Sequence, residues 1–271
     1  MKNKMAYLHD PHRAKKTWMK KELAVQVKKD LAAGKSLYKN AEEFWNKEYA
    51  ESGTSNFSLS DEASEDLQKF TRWLERQYKS QQYFTRSSFV VDAGCGNGRN
   101  LIWMHEKFGV NGFGYDISME GIKSAKARTK GTNLEFVVQN LNQKIPVADG
   151  KADLIIDAIA SHVLKKEERI QFKQEILRVL STGSYYFLKS LLLDEDGHAK
   201  RMIKEHGEGA GEENSYIHPT MGIFEHVPAE KELLEFYQDD FDIEKIERSH
   251  AHKVGGKSNK RRYIVLHLRK K

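Results

Sequence analysis

The run Val90-Val91-Asp92-Ala93-Gly94-Cys95-Gly96-Asn97-Gly98-Arg99 constrains this chain more than any other stretch. Two β-branched residues and an acid lead into three alternating glycines, and an apolar-periodic segment comes next at 98–108. That order reads as strand, tight loop and helix. Glycines let such a loop turn sharply and bring its backbone against a ligand with no Cβ in the way. The spacing Gly-x-Gly-x-Gly differs from the Gly-x-Gly-x-x-Gly fingerprint of nicotinamide and flavin sites. A glycine loop alone can be a plain turn, so its meaning depends on the segments downstream.

Those segments alternate regularly. Short apolar runs predict strands at 89–92, 112–116, 134–139, 154–159, 185–193, 241–246 and 263–268. Between them, helical periodicity falls at 98–108, 118–129, 167–180 and 230–237. The expected fold class is therefore α/β: a doubly wound, mainly parallel seven-stranded sheet with helices on both faces. An N-terminal helical extension precedes it, with helices at 14–33 and 40–50 and a polar linker at 52–60. A third helix, capped by Ser60 or Asp61, runs through Leu67, Phe70, Trp73 and Leu74. The division is residues 1–85 for the extension and 86–271 for the α/β domain, which carries an insertion at 194–228.

Asp116 ends the second predicted strand in Gly114-Tyr115-Asp116-Ile117-Ser118. A carboxylate there can accept both hydroxyls of a ribose beyond the sheet edge. With these residues the sequence resembles the class I S-adenosylmethionine-dependent methyltransferases over about residues 86–193. The loop at 92–98 looks like their first motif, and Asp116 matches the acid that ends their second strand. Val138-Gln139-Asn140-Leu141 looks like the loop that reads the adenine, although Asn140 stands where that family often has Asp. The run 146–156 is similar to the approach to their fourth strand. Phe44-Trp45-Asn46-Lys47-Glu48-Tyr49 resembles a helix that folds over the cofactor in many members, and Trp45 and Tyr49 at i and i+4 share a face. The resemblance implies S-adenosyl-L-methionine as cofactor. It implies a binding set of Asp92, Gly94, Cys95, Gly96, Gly98, Asp116, Ile117, Asn140 and Leu141, with Trp45 and Tyr49 as cover.

Absences narrow the chemistry. Asp157-Ala158-Ile159-Ala160-Ser161-His162 replaces the Asn/Asp-Pro-Pro-Tyr/Phe motif of exocyclic-amine base methylation. The single cysteine, Cys95, lies in the glycine loop, so a cysteine nucleophile for pyrimidine C5 is not at hand. Oxygen, nitrogen and sulfur acceptors remain. His162 is the candidate base, and Asp157 and Lys189 complete the candidate catalytic set at the ends of strands four and five. The insertion carries His198, His206, His218 and His226 without the spacing of a zinc motif, and no metal is expected.

Charge bears on the partner. The net charge of +6 is concentrated at the ends. Residues 1–40 carry eleven Lys/Arg against Asp10, Glu22 and Asp30, and residues 245–271 carry ten against Glu247, leaving an acidic body. Such arms attract polyanions or simply keep a protein soluble. The leading reading is methylation of a small molecule. An RNA methyltransferase using the basic arms is the alternative, with Asp157, Lys189 and Glu247 as a loose echo of the ribose-methylating set. A cofactor-binding module or partner subunit without transfer activity is the non-enzyme reading. One cysteine, no signal peptide and no spanning segment predict a cytoplasmic protein with no membrane association.

Overall fold

Val90 and Val91, Leu154 to Ile156, and Tyr185 to Leu188 are unbroken apolar runs, a pattern that strands bury only when both sheet faces are covered. The computed structural model describes residues 41–51, 60–79, 82–249 and 261–271 and shows that arrangement. Seven strands form one sheet in the order β3-β2-β1-β4-β5-β9-β8. They are β1 (Phe89–Ala93), β2 (Asn111–Asp116), β3 (Leu134–Val138), β4 (Ala152–Ala158), β5 (Leu180–Leu191), β8 (Phe241–Arg248) and β9 (Tyr263–Lys270). Pairing is parallel from β3 through β5, and β9 runs antiparallel to both β5 and β8. The order reverses after β1, and the carboxyl ends of β1 and β4 flank the crevice where such sheets bind ligands.

Register sorts each apolar run into two cores. Val90, Leu154 and Tyr185 are paired across three strands and face one side; Val91, Ile155 and Tyr186 are paired and face the other. The first side is covered by α2 (Glu65–Gln77), α3 (Arg99–Phe108) and α4 (Met119–Arg128), through Phe70, Leu101, Met104 and Ile122. The second is covered by α5 (Lys166–Val179) and α7 (Glu230–Tyr237), through Phe172, Ile176, Leu233 and Tyr237. Each fully buried Leu, Ile or Phe contributes roughly 1.5–3 kcal/mol.

Some expectations shift. The helix expected to be capped by Ser60 or Asp61 begins after Ser64, whose amide donates to Asn100 Oδ1 at 2.9 Å. Asp61 instead accepts from Asn97 Nδ2 at 2.8 Å and Arg128 Nη1 at 3.0 Å. β5 starts five residues before the expected 185, because Leu180 pairs with Ala152 before a register shift. The insertion at 194–228 is folded. It holds α6 (Gly197–His206) and a hairpin of β6 (Ser215–Ile217) and β7 (Phe224–His226). Upstream of the sheet lies α1 (Ala41–Ala50). The expected helix at 14–33 and the linker at 52–59 fall outside the described residues. Among the described residues no helix is long and apolar enough to cross a membrane.

Candidate cofactor cleft and acceptor side

β1 delivers the glycine loop to the sheet edge. The amides of Gly94 and Cys95 both donate to Tyr115 O, at 2.8 and 3.0 Å, so the loop is tied to β2. Gly94 and Gly96 have φ of +68° and +54°, a region that favours glycine. A Cβ at Gly94 would sit 2.3 Å from Ala160 Cβ, and one at Gly96 would sit 1.8 Å from the Tyr49 hydroxyl. Gly98 meets Phe136 and Ala125 instead, so its lack of a side chain serves packing against β3 and α4.

Two carboxylates flank this loop. Asp116 Oδ2 accepts from Gly96 N at 2.9 Å and Oδ1 from Ser118 N at 2.8 Å, which leaves each oxygen a further lone pair. Burial pushes its carboxyl up, against the pull of those amides. Asp92 is 1% exposed, and neither of its oxygens has a hydrogen-bond partner among the described residues. Burial, with Asp116 and Asp157 nearby, pushes Asp92 up to about 8, and the charge of Arg99 offsets only part of this. A buried carboxylate without a partner is costly unless a cation completes it. The Cys95 thiol is also buried and pushed up, so it stays protonated and is a poor nucleophile.

Beyond Asp116 the surface is apolar and open. Met119 and Val138, on the elements that follow Asp116, are 57% and 51% exposed. Asn140 Oδ1 accepts from the Asn142 amide at 3.3 Å, and Leu141 is built into the core beside β4. Helix α1 closes the near end. Asn46 Oδ1 accepts from Ser118 Oγ at 3.1 Å and from the Glu120 amide at 3.2 Å, docking α1 on the first turn of α4. Tyr49 lies against Gly96 and Gly121. Burial and the neighbouring Asp116 push its hydroxyl up, so it remains protonated. Trp45 lies beside Tyr49, with ring centroids 6.4 Å apart, and also packs with Phe44 against Met221 and Ile223.

At the end of β4 the chain turns abruptly. Ile159 has φ +65°, a strained conformation for a β-branched residue, and its amide donates to Lys189 O at 2.8 Å. Asp157 holds the turn, accepting from the amides of Ala160 (2.9 Å) and Ser161 (3.2 Å) and from Tyr186 Oη (3.0 Å). The turn points Ala160 at the glycine loop and places His162 in a 3-10 turn, Ser161–Val163, beneath the β6–β7 hairpin. Burial pushes His162 down; Arg261 adds to this, while Glu225 and Asp157 oppose it. The imidazole is therefore neutral at pH 7. Above it, Tyr216 donates to Glu225, and Arg261 Nη1 reaches Tyr216 Oη at 3.0 Å.

Residues 90–183 match a family model described as a methyltransferase domain. A candidate methyltransferase of Encephalitozoon cuniculi is 29% identical over 136 residues, 50% of this chain and 58% of its own. The match thus spans little more than half the length of that relative. An S-adenosylmethionine-dependent methyltransferase from Methanosarcina mazei superposes with a TM-score of 0.59 at 21% identity, covering 69% of this chain and 94% of its own. The geranyl diphosphate C-methyltransferase of Streptomyces coelicolor, solved with S-adenosyl-L-homocysteine, has a TM-score of 0.52 at 14% identity, covering 73% and 75%. Residues 90–183 are thus similar to a methyltransferase domain, on a fold that S-adenosylmethionine-dependent methyltransferases share.

The structure brings Asp92, Gly94, Gly96, Asp116 and Tyr49 together around the glycine loop. Ile117 follows Asp116 at the same edge, and Trp45, Leu141 and Gly98 face packing partners. Lys189 is paired with Asp66 at 2.6 Å and lies 5.2 Å from the Tyr263 ring centroid. Burial opposes the charge on Asp66, yet its bond to Lys189 and the lysine's charge hold its carboxyl low. Sequence reading missed Arg261 as a site neighbour, because it sits in the run Lys260-Arg261-Arg262 that reads as a basic arm. Among the described residues, no group of three or more His, Cys, Asp or Glu is placed to hold a metal ion.

Proposed function

We propose that this chain binds S-adenosylmethionine between Asp92, Asp116 and α1, and transfers its methyl group to an oxygen, nitrogen or sulfur of a small molecule. The observation that carries the reading is the unpartnered Asp92 carboxylate buried behind a glycine loop whose other flank is Asp116. Asp116 has lone pairs to accept ribose hydroxyls, and Asp92, a neutral acid in the free fold, ionises against the cationic methionine end. Gly94 and Gly96 let backbone and ligand approach without a Cβ between them. When bound, the cofactor supplies an electrophilic methyl on a sulfonium, so holding the acceptor in line supplies much of the catalysis. The chain's own part is to seal the cleft with Tyr49, support the turn through Asp157 and offer His162 as a proton acceptor.

A small-molecule acceptor is favoured by the folded insertion, which roofs the turn carrying His162. The basic arms behind the RNA reading fall largely on residues 1–40 and 250–260, outside the described residues, and Arg261 packs on Tyr216 and Glu225. Calorimetric titration with S-adenosyl-L-homocysteine tests the cofactor reading. Micromolar binding is expected, weakened in Asp116→Ala by at least ~1.5 kcal/mol, the worth of a charge-assisted hydrogen bond. Failure of the folded protein to bind, or an unchanged affinity in the variant, would sink the assignment.

A further inference from the structure

The 3-10 turn that places Ala160 against Gly94 also borders a cavity. It encloses about 620 Å³ between α5, α7 and the β6–β7 hairpin, with Ser161 and His162 among its walls. Its apolar side is Leu188, Leu233, Phe236 and Tyr237. On its polar side Arg169 pairs with Glu212 and His226 Nε2 lies 2.7 Å from Glu232, and Lys166, Glu213 and Glu235 also line it. The Lys166 amide also donates to Glu212 at 3.0 Å, and Asn214 to Glu232 at 3.1 Å. His162 differs from these neighbours. It makes no hydrogen bond among the described residues, and its Nδ1 is sealed from solvent, which leaves Nε2 to meet a ligand.

We propose that this cavity is the acceptor site and that its ligand is a neutral small molecule with an aromatic body and a phenolic hydroxyl set against His162. The proposal rests on the methyltransferase reading above and deepens it. An anionic ligand would face Glu212, Glu213, Glu232 and Glu235 against only Lys166 and Arg169, and a ligand of either charge would lose hydration against the apolar wall. A cavity of this size holds a two-ring aromatic body against Phe236 and Leu233. A neutral imidazole is a weak base, and a phenol at pKa ~10 is far better matched to it than an aliphatic alcohol. The phenolic O–H gives its proton to Nε2 as the O–CH3 bond forms and the C–S bond breaks, the electron pair staying on sulfur. The charged groups acting on His162 during that step are Glu225, Arg261, Asp157 and His226.

The test uses the full chain loaded with S-adenosyl-L-homocysteine. It is titrated with 2-naphthol, with anionic 2-naphthoate and with cationic 2-(aminomethyl)naphthalene. 2-Naphthol is expected to bind at least about tenfold more tightly than either charged analogue. Ser190→Phe, which fills the cavity, and Phe236→Ala, which strips its apolar wall, should each weaken 2-naphthol about tenfold or more. Both should leave S-adenosyl-L-homocysteine affinity within about twofold. If Ser190→Phe does not fold, Phe236→Ala alone decides. In a transfer assay His162→Gln should lower kcat about a hundredfold, hold KM and remove the acid limb of the pH profile. A preference for a charged analogue, no binding by any of the three, or 2-naphthol affinity untouched by the folded variants would overturn the proposal. Failure to bind S-adenosyl-L-homocysteine at the outset would instead strike the cofactor reading.

Discussion

Asp92 and His267 are buried groups whose protonation opposes their ordinary behaviour, and they pull stability in opposite directions with pH. Asp92, pushed up to about 8, stays protonated in the fold while the unfolded chain ionises near the ordinary carboxylate value. Between those values the folded state holds the extra proton, so stability falls as pH rises from about 4 to 8, by up to about 1.4 kcal/mol per unit. Asp92→Asn should flatten that limb in urea melts at a series of pH values and weaken cofactor binding. The unmodified protein should bind S-adenosylmethionine more tightly as pH rises toward 8, since the cation favours ionised Asp92; an affinity flat with pH would contradict this. His267 lies 4.6 Å from the Trp73 ring and 4.8 Å from Phe70, with neither nitrogen partnered among the described residues. Burial, helped by Lys245, pushes it down to about 3. The unfolded chain then binds the extra proton below about 6.5, so this stability is complete above that pH and is lost as pH falls toward 3. His267→Leu should gain about 1–3 kcal/mol at pH 7 and more at pH 5, read from the same melts. Asp92 was legible in the sequence because it adjoins three glycines. His267 was not: a histidine in Tyr263-Ile264-Val265-Leu266-His267-Leu268 looks like any other position until register sets it against Trp73.

At the scale of elements, α1 joins the two halves of the site. Asn46 and Tyr49 hold the cofactor side, while Phe44 and Trp45 hold Met221 and Ile223 of the insertion. The helical pattern at 40–50 and the pairing of Trp45 with Tyr49 on one face were readable from spacing. That Trp45 meets the insertion was not, because it depends on where residues 221–223 return in space. Asn46→Ala removes the acceptor for two donors at the start of α4, and should cost about 1 kcal/mol in thermal melts. It should also weaken S-adenosyl-L-homocysteine binding severalfold through the loosened Tyr49, and a variant with unaltered affinity would show that α1 is not part of the cover. The sharp turn after β4 is a second element-scale device. Ile159 is held in a left-handed conformation so that Ala160 meets the loop and His162 meets the cavity. Strain of order 1–3 kcal/mol persists where surrounding structure over-determines it.

For the whole molecule, the doubly wound sheet sets the positions of both sites without supplying the chemistry of either. A ligand that binds only the folded state stabilises it by mass action. S-adenosyl-L-homocysteine at a hundred times its Kd should therefore add about 2.7 kcal/mol, seen as a concentration-dependent rise in Tm. No shift at saturating ligand would mean that the cleft does not bind it. The sequence by itself determined the strand and helix alternation, the glycine loop, Asp116 and the resemblance they carry, because these rest on local periodicity and on residues adjacent in the chain. Only the tertiary structure decided which face of each strand met which helix. It also decided that the insertion folds as a roof, and that Asp157 is spent holding a turn while Lys189 pairs with Asp66. Those outcomes come from contacts between residues tens of positions apart, such as Lys189 and Asp66, or Tyr216 and Arg261, whose partners are fixed by sheet register and chain return.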